Sequence, residues 1–421
     1  MTARSAAIGR STRRTGVDEG TVPIGTAVHE RTFPLCESLN YREWSGYYAV
    51  SAYEAHHEHE YNAIRNAAAL IDISPLFKYR VSGKDATRLV DRIVTRDLRK
   101  VKPGSVIYTP WCDEHGKVID DGTVARLSEN VYRWTAADPS LRWLQQNALG
   151  LDVTLEDVSD EIAALALQGP TSGRMLKAIA EADIENLKYF KVTSGKIAGV
   201  PVDISRTGYT GDLGYEIWVG ADGAVEMWDA LSEACVGQGV LPVGQSALLM
   251  TRIEAGLVLI GVDFHSSRFA FNDYECSTPL ELGFAWMFRD LASSSRRFIG
   301  RAAIEREIAD KTSRWKMVGL MVDWREWDRH FGEAGLIPPK DETPVVYEMM
   351  LYDDDGARVG YTTSFMYSPM LQRHIAMARV QPQLAAAGSK VNLELTINHR
   401  YHTVAAEVRR PPLFNPARKT A

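Results

Sequence analysis

Apolar and polar positions along this chain change period several times, and each change marks an element. Within residues 53–71, Ala63, Ile64, Ala67, Ala68 and Ile71 recur at helical spacing, and the pattern stops at Asp72-Ile73-Ser74-Pro75. This predicts an amphipathic helix leading into a strand near 78–82. A second helix is expected over 84–93. Residues 106–111 and 118–127 read as a hairpin across Asp113-Glu114-His115-Gly116, followed by a strand at 131–136 and a helix at 140–148. The mixture repeats in an apolar run at 162–168, a helix at 171–181, strands on either side of 206–214, and helices at 224–235 and 245–254. The last hundred residues differ, with short apolar stretches at 317–322, 344–352, 359–365, 375–380, 390–397 and 402–408 punctuated by Gly, Pro and Asp. They predict a separate all-β barrel or roll. The expected fold class is α+β, with antiparallel strands and helices laid on one face.

Composition narrows the function classes. A chain of 421 residues, 45% hydrophobic and 24% charged, is long enough for two or three domains with their own cores. Its net charge of −6, from 48 basic and 54 acidic residues, has no basic stretch long enough for a nucleic-acid footprint. The longest apolar runs, at 162–167 and 257–262, are too short to span a bilayer. Cys36, Cys112, Cys235 and Cys276 are widely spaced with no CxxC pair, which implies reduced, buried thiols and a cytoplasmic protein. Residues 1–25 carry Arg4, Arg10, Arg13 and Arg14 among Ser, Thr and Gly without an apolar core. A disordered tail over 1–30 is expected there rather than a secretory signal or transit peptide.

The most informative stretch is Arg206-Thr207-Gly208-Tyr209-Thr210-Gly211-Asp212-Leu213-Gly214-Tyr215-Glu216-Ile217. It reads as a glycine-punctuated turn between two strands. Its glycines allow tight backbone and close approach by a ligand, Tyr209 offers a stacking face, and Glu216 offers a paired acceptor. The set suits a flat, amide-rich heterocycle such as a pterin, although an ordinary hairpin has the same composition. Asp120-Asp121 is by itself an acidic pair near a turn. His56-His57-Glu58-His59 lacks the i, i+4 spacing that makes two helix histidines converge, so no metal site is expected.

Eight stretches in order carry a family resemblance. They are Ala63-Ile64-Arg65 with Leu70 to Ser74; Ile107-Tyr108 leading to Gly116-Lys117-Val118-Ile119-Asp120-Asp121; Ala166-Leu167-Gln168-Gly169-Pro170; Arg206 to Glu216; Arg252-Ile253-Glu254-Ala255-Gly256; Thr278 to Gly283; Phe298-Ile299-Gly300-Arg301 with Ala303; and Gly360 to Ser364 with Ser368-Pro369. Over roughly residues 33–412 the chain resembles the aminomethyltransferase family, the glycine-cleavage T-protein and its tetrahydrofolate-dependent relatives. The resemblance implies a three-domain cloverleaf: two mixed α/β antiparallel-sheet domains around a folate funnel, plus a C-terminal all-β barrel. On that pattern the first domain takes 31–77, 162–184 and 264–312, a second ferredoxin-like domain takes 78–161 and 185–263, and the barrel takes 313–412. Tetrahydrofolate is the implied cofactor. Glu216 would grip the pterin nitrogens, Tyr108 and Tyr209 would line the folate site, and Asp121 would act beside the reactive N5. Asp120, facing the other way along a strand, is expected to be structural.

The chain also departs from the T-protein pattern, at Pro75-Leu76-Phe77-Lys78, at Val243 to Thr251, at Ile260-Gly261-Val262-Asp263 and at Phe414-Asn415-Pro416. These departures favour a demethylase-like relative that moves a methyl group from a small O-, S- or N-methylated donor to N5 of tetrahydrofolate. A T-protein acting on a lipoylated carrier and a non-catalytic folate-binding protein are the alternatives. A carrier or an oxidase partner is expected only under those readings, and no nucleic-acid or membrane partner under any. The aromatic and histidine-rich stretch Trp44, Tyr47, Tyr48, Tyr53, His56, His57 and His59 is where the donor is expected. Tyr47, His57 and Tyr209 are the candidate proton donors to the leaving group, and Trp111 and Trp286 are candidate walls.

Overall fold

A computed structural model describes residues 22–421. Among these, the strands form two open sheets, a two-stranded hairpin and a closed barrel. The larger sheet has the order Val192–Ile197, Val200–Ser205, Gly214–Gly220, Ile162–Gln168, Ala68–Asp72, Val240–Pro242, with only the last pair parallel. Its central strand Ile162–Gln168 alternates in the way a two-sided sheet requires. Leu165 and Leu167 pack under helices Ser172–Ile179 and Ala224–Cys235, while Ala164 and Ala166 face helix Gln245–Ala255. The second sheet runs Ser105–Cys112, Val118–Ser128, Val131–Ala136, Phe77–Ser82, Thr154–Asp157, covered by helices Ala86–Ile93 and Leu141–Asn147. Lys316–Val322, Arg373–Val380, Arg358–Ser368, Met350–Tyr352, Lys390–Ile397 and Arg400–Arg409 close the barrel. The cloverleaf of two sheet domains and a barrel is therefore the observed fold.

The three units share one core. Cys112 and Val118 from the second sheet and Met366, Ile375 and Met377 from the barrel pack with Ile71, Ala164, Trp218, Leu248 and Ile253 of the first. Helix Gln245–Ala255 sits at this junction and ends at Gly256, whose left-handed φ of 65° closes the helix with bonds to the Arg252 and Ile253 carbonyls. What matters for function is what this helix and its surroundings hold in place.

Three expectations are corrected. The segment 185–263 does not join 78–161, because Gly214–Gly220 pairs along its length with Ile162–Gln168, which pairs in turn with Ala68–Asp72. The helix expected over 53–71 is shorter, Glu58–Asn66, and Ala68–Asp72 is a strand. That strand lies inside a sheet with both faces covered, so its side chains are apolar without alternation, a pattern that spacing cannot separate from a buried helix. Within 313–412, the expected all-β region contains helix Trp324–Glu333. It starts at Asp323, whose carboxylate accepts from the Arg325 and Glu326 amides, and it packs Trp327 and Phe331 into the barrel core.

Most of the expected 1–30 tail lies outside the described residues. Of the remainder, Ile24 bridges to Tyr47, and the Thr26 hydroxyl donates to Asp72 at 2.6 Å. No helix among the described residues is long and apolar enough to cross a membrane.

Candidate functional site

The turn between strands Val200–Ser205 and Gly214–Gly220 is built on Gln168. This side chain is fully buried at the end of the central strand, donating to the Thr207 and Tyr215 carbonyls at 3.1 and 3.2 Å and accepting from the Thr210 hydroxyl at 3.0 Å. A Cβ on Gly208 would stand 1.9 Å from the Gln168 carbonyl oxygen, and one on Gly214 would stand 2.3 Å from it. These glycines make room for protein, not for a ligand, which corrects the reading of close ligand approach. Gly214→Ala is expected to lower stability by about 1–3 kcal/mol through overpacking. Urea unfolding checks this, and the same substitution made in a Gln168→Ala background should cost less than it does in the wild type.

The turn carries Tyr209 and Glu216 in different directions. The Tyr209 hydroxyl donates to the Val258 carbonyl at 2.5 Å, and burial holds its proton firmly. Glu216 accepts from the Thr207 hydroxyl at 2.6 Å through one oxygen, and the other receives no hydrogen bond from the described residues. Burial raises the Glu216 carboxyl, against the opposing pull of Thr207 and Arg133. Arg133 is itself paired with Asp203 at 2.8 Å and lies over the Trp218 ring.

Asp120 and Asp121 separate as neighbours on a strand must. Asp120 is fully buried, accepting from the Asp121 amide at 2.7 Å and the Asp138 amide at 3.0 Å. Asp121 points the other way and keeps part of its surface accessible. On the neighbouring strand, the Tyr108 hydroxyl is directed at the Asp121 carboxylate. Burial pushes Asp121 up to about 7, with the Tyr108 hydroxyl opposing the shift and the charge of Asp263 adding to it. Tyr108 stays neutral, because burial and then Asp121 raise its hydroxyl well above its ordinary value. Tyr108, Asp121, Tyr209 and Glu216 are each partly accessible although set deep in the molecule, as groups lining a hollow are.

Asp263 and Arg252 close this cluster from the barrel side. The pair is fully buried at 2.6 Å, and Asp263 also accepts from the Leu259 amide at 2.8 Å and from the Thr363 hydroxyl. Arg252 further donates to Ser364 at 2.6 Å, so this pair joins helix Gln245–Ala255 to the barrel. No local spacing announces it, since its members meet only after the chain turns back at Gly256. Arg96 is another group the sequence does not single out. Its guanidinium stands 5.0 Å from the Trp286 ring centre and 3.5 Å from the Tyr108 carbonyl, and it has no carboxylate partner among the described residues. Phe284 meets the Tyr108 ring edge-on at 5.5 Å.

The structure thus brings together Tyr108, Asp121 and Tyr209, with Trp286 reaching Tyr108 through Arg96 and Glu216 placed by the same turn as Tyr209. It does not bring in Tyr47 or His57. Tyr47 is buried in the hairpin strand Tyr47–Ala52, and its hydroxyl donates to Asp160. His57 lies at the start of helix Glu58–Asn66 beside Asp341 and Glu342, where burial lowers its pKa. The aromatic stretch near it is mostly packing, with Tyr41 and Tyr48 both against His29. Trp111 is a fully buried core residue meeting Trp134 edge-on at 4.8 Å, not a wall. Lys78 is also fully buried, donating to the Ser74 and Leu76 carbonyls at 2.6 and 2.8 Å.

Comparison with known proteins agrees with this architecture. Residues 36–289 match the family model described as the GCVT N-terminal domain, and residues 334–415 match the glycine cleavage T-protein C-terminal barrel domain. The chain is 31% identical over 363 residues to an aminomethyltransferase of Thermosipho melanesiensis, covering 85% of this chain and 89% of that protein. It is 33% identical over 387 residues to a trimethylamine-oxide aldolase of Ruegeria pomeroyi, covering 89% of this chain but 45% of that longer protein. The crystal structure of aminomethyltransferase T of the glycine cleavage system from Bartonella henselae superposes with a TM-score of 0.77 at 22% identity, covering 94% of this chain and 99% of that one.

Proposed function

Because the chain belongs to the glycine-cleavage T-protein family of aminomethyltransferases, we propose that it is a tetrahydrofolate-dependent one-carbon transferase that moves a methyl group from a small methylated donor to N5, giving 5-methyltetrahydrofolate. The observation that carries this reading is Asp121, a partly accessible carboxylate with a pKa raised to about 7 and set against the Tyr108 hydroxyl. A base of that strength is matched to taking a proton from an amine near neutral pH.

The residues present fit the cofactor. The free oxygen of Glu216 can accept from pterin N–H groups, and Thr207 fixes the carboxylate that offers it. Arg96, stacked on Trp286 beside Tyr108 and lacking a carboxylate of its own, suits the negatively charged glutamate end. When bound, tetrahydrofolate supplies the secondary amine that accepts the methyl group. Asp121 orients that amine and receives its proton, while Tyr209, bonded to Val258, is a fixed wall rather than a proton source.

A methyl donor, rather than an aminomethyl group on a lipoylated carrier, is supported by the sequence departures and by the similarity to a relative named for a methylated amine oxide. The carrier-dependent reading is favoured by the similarity to aminomethyltransferases along most of their length. Incubating the protein with tetrahydrofolate and a panel of methoxybenzoates, sulfonium compounds and methylated amines should yield 5-methyltetrahydrofolate from at least one of them. Turnover only with an aminomethyl-loaded carrier would establish the other reading. Glu216→Gln should weaken tetrahydrofolate binding by roughly 10- to 100-fold, the worth of a hydrogen bond to a charged acceptor. Unchanged affinity would remove Glu216 from the site.

A further inference from the structure

Alternation along two neighbouring strands gathers four side chains beside the Tyr209 turn. In Val200–Ser205 and Gly214–Gly220, Asp203 stands opposite Trp218 and Ser205 opposite Glu216, all on one face of the sheet. On its other side Glu216 is opposite Ala166, which brings no charge. A row of hydrogen bonds runs through this group. The Trp218 indole donates to the Ser205 hydroxyl at 3.2 Å, Ser205 and Thr207 share a bond of 2.8 Å, and the Thr207 hydroxyl donates to Glu216 at 2.6 Å. Trp218, Ser205 and Thr207 are all buried. Arg133, also buried, reaches the row from the second sheet, 4.3 Å over the Trp218 ring centre and paired with Asp203 at 2.8 Å.

The two ends of the row set the direction of every proton in it. An indole nitrogen only donates, and an ionised carboxylate only accepts. With Glu216 ionised, Trp218 gives to Ser205, Ser205 to Thr207 and Thr207 to Glu216, so every donor has an acceptor and each bond polarises the next. Protonation weakens the row at either oxygen. On the open oxygen it deprives Thr207 of a charged acceptor. On the bonded oxygen it turns Thr207 round, and Ser205, now accepting from both neighbours, keeps only the Glu216 main-chain carbonyl at 3.4 Å for its own proton. The row therefore favours the charged carboxylate, and it engages one oxygen while leaving the other open. The charge of Arg133 acts in the same direction, against the burial that raises the Glu216 carboxyl. Tyr189 is the other titratable group near Glu216, and burial pushes its hydroxyl up to about 12, so it stays neutral.

We infer that Ser205, Trp218 and Arg133 are positioning residues of the folate grip, which act through Thr207 to hold Glu216 as an ionised acceptor with its open oxygen free for the pterin. This rests on the folate site of the transferase reading above. The grip is then assembled from two sheets, with strand Val131–Ala136 supplying a part that the turn itself lacks.

Calorimetric titration of the full chain with tetrahydrofolate at pH 5.5 and pH 8.5 tests the inference. Trp218→Phe keeps a ring under Arg133 and removes the N–H. Thr207→Val removes the last hydroxyl at nearly constant volume, and Thr207→Ser keeps it. Cutting the row should raise the Glu216 carboxyl further, so that its charge is lost at a higher pH. Trp218→Phe should weaken binding about 3- to 10-fold relative to the wild type at pH 5.5 and about twofold at most at pH 8.5. Thr207→Val should weaken it about tenfold at pH 5.5, again more than at pH 8.5, and Thr207→Ser should bind as the wild type does. Taking each variant against the wild type at the same pH cancels the titration of the ligand and of Asp121. For Trp218→Phe, wild-type affinity at both pH values or an equal loss at both would overturn the inference, the second because lost packing carries no pH dependence. Thr207→Val indistinguishable from Thr207→Ser would overturn it as well, and this pair decides if Trp218→Phe does not fold. If the wild type binds tetrahydrofolate and these differences are absent, the positioning role alone falls. If the wild type does not bind it, the transferase reading falls, and the positioning role with it.

Discussion

Asp121→Asn is expected to slow methyl transfer by about 10²- to 10⁴-fold, the usual worth of a positioned general base, while tetrahydrofolate binding is nearly unchanged. Asparagine keeps the shape and can still meet the Tyr108 hydroxyl, so the loss should appear in kcat rather than in the folate KM. The wild-type rate should rise with pH through about 7, because the carboxylate must be ionised to take the proton. The variant should lack that limb. Stability should move the other way. The folded-state pKa of Asp121 lies above the ordinary carboxylate value, so the folded protein holds this proton more tightly than the unfolded chain. Its contribution to stability is therefore full at pH below the unfolded value and is lost as pH rises through about 7. Asp121→Asn should accordingly unfold at a higher temperature than the wild type at pH 8, and the gap should narrow toward pH 5. Equal, measurable turnover by variant and wild type would remove Asp121 as the base, whereas tetrahydrofolate binding with no turnover by either would favour a folate-binding protein without transferase chemistry.

The largest stability effect is expected from Glu254→Ala. One oxygen of this buried carboxylate accepts from the Tyr61 hydroxyl at 2.5 Å and the Ser368 hydroxyl at 2.6 Å, and the other accepts from Arg65 at 2.9 and 2.5 Å. It thus ties helix Glu58–Asn66 to the barrel strand Arg358–Ser368. Arg65 is buried too, with a second, longer pairing to Asp212 at 3.5 Å and a bond to the Thr210 carbonyl at 2.9 Å. Removing the carboxylate leaves a guanidinium with half its counter-charge and two hydroxyls without their acceptor. A loss of about 3–5 kcal/mol is expected, as for breaking a buried pair by deleting one member. Ser368→Ala, which removes one neutral donor, should cost about 1 kcal/mol. Urea denaturation followed by tryptophan fluorescence measures both, and a Glu254→Ala loss no larger than that of Ser368→Ala would refute the assignment. Arg65→Met with Glu254→Leu should be more stable than Glu254→Ala alone, because no buried charge is stranded.

The sequence is most legible where its message is local. The helix at 224–235, the hairpin around Gly116 and most barrel strands follow from spacing and turn residues within a few positions of each other. Partner choice is different. Residues 200–205 and 214–220 announce strands, but nothing in their alternation says that 214–220 lies beside 162–168 rather than in the second sheet, so the domain assignment of 185–263 failed. The site shows the same division. Tyr108, Asp121, Tyr209 and Glu216 stand in recognisable segments, and the family resemblance singles them out. Arg252 and Asp263 meet through a turn-back and a barrel contact, and Gln168 is hidden under the loop it shapes. Tyr47 looked free because its acceptor, Asp160, is supplied from across the fold.

The segment after the cis bond Pro411-Pro412 has mechanical importance. The Leu413 and Phe414 amides bond to the Glu254 carbonyl at 2.9 and 2.8 Å, Phe414 lies under Arg65, and Arg418 grips Asp212 at 2.6 and 2.8 Å. At its other end the barrel is pinned where the Met317 amide meets the Glu281 carbonyl at 2.8 Å. A domain fastened at both its entry and its exit cannot gape like a jaw without tearing several of these bonds at once. Between the two fastenings the bonds from Arg252 to Ser364 and from Ser368 to Glu254 stitch the barrel to helix Gln245–Ala255, so the seam is closed along its length as well as at its ends.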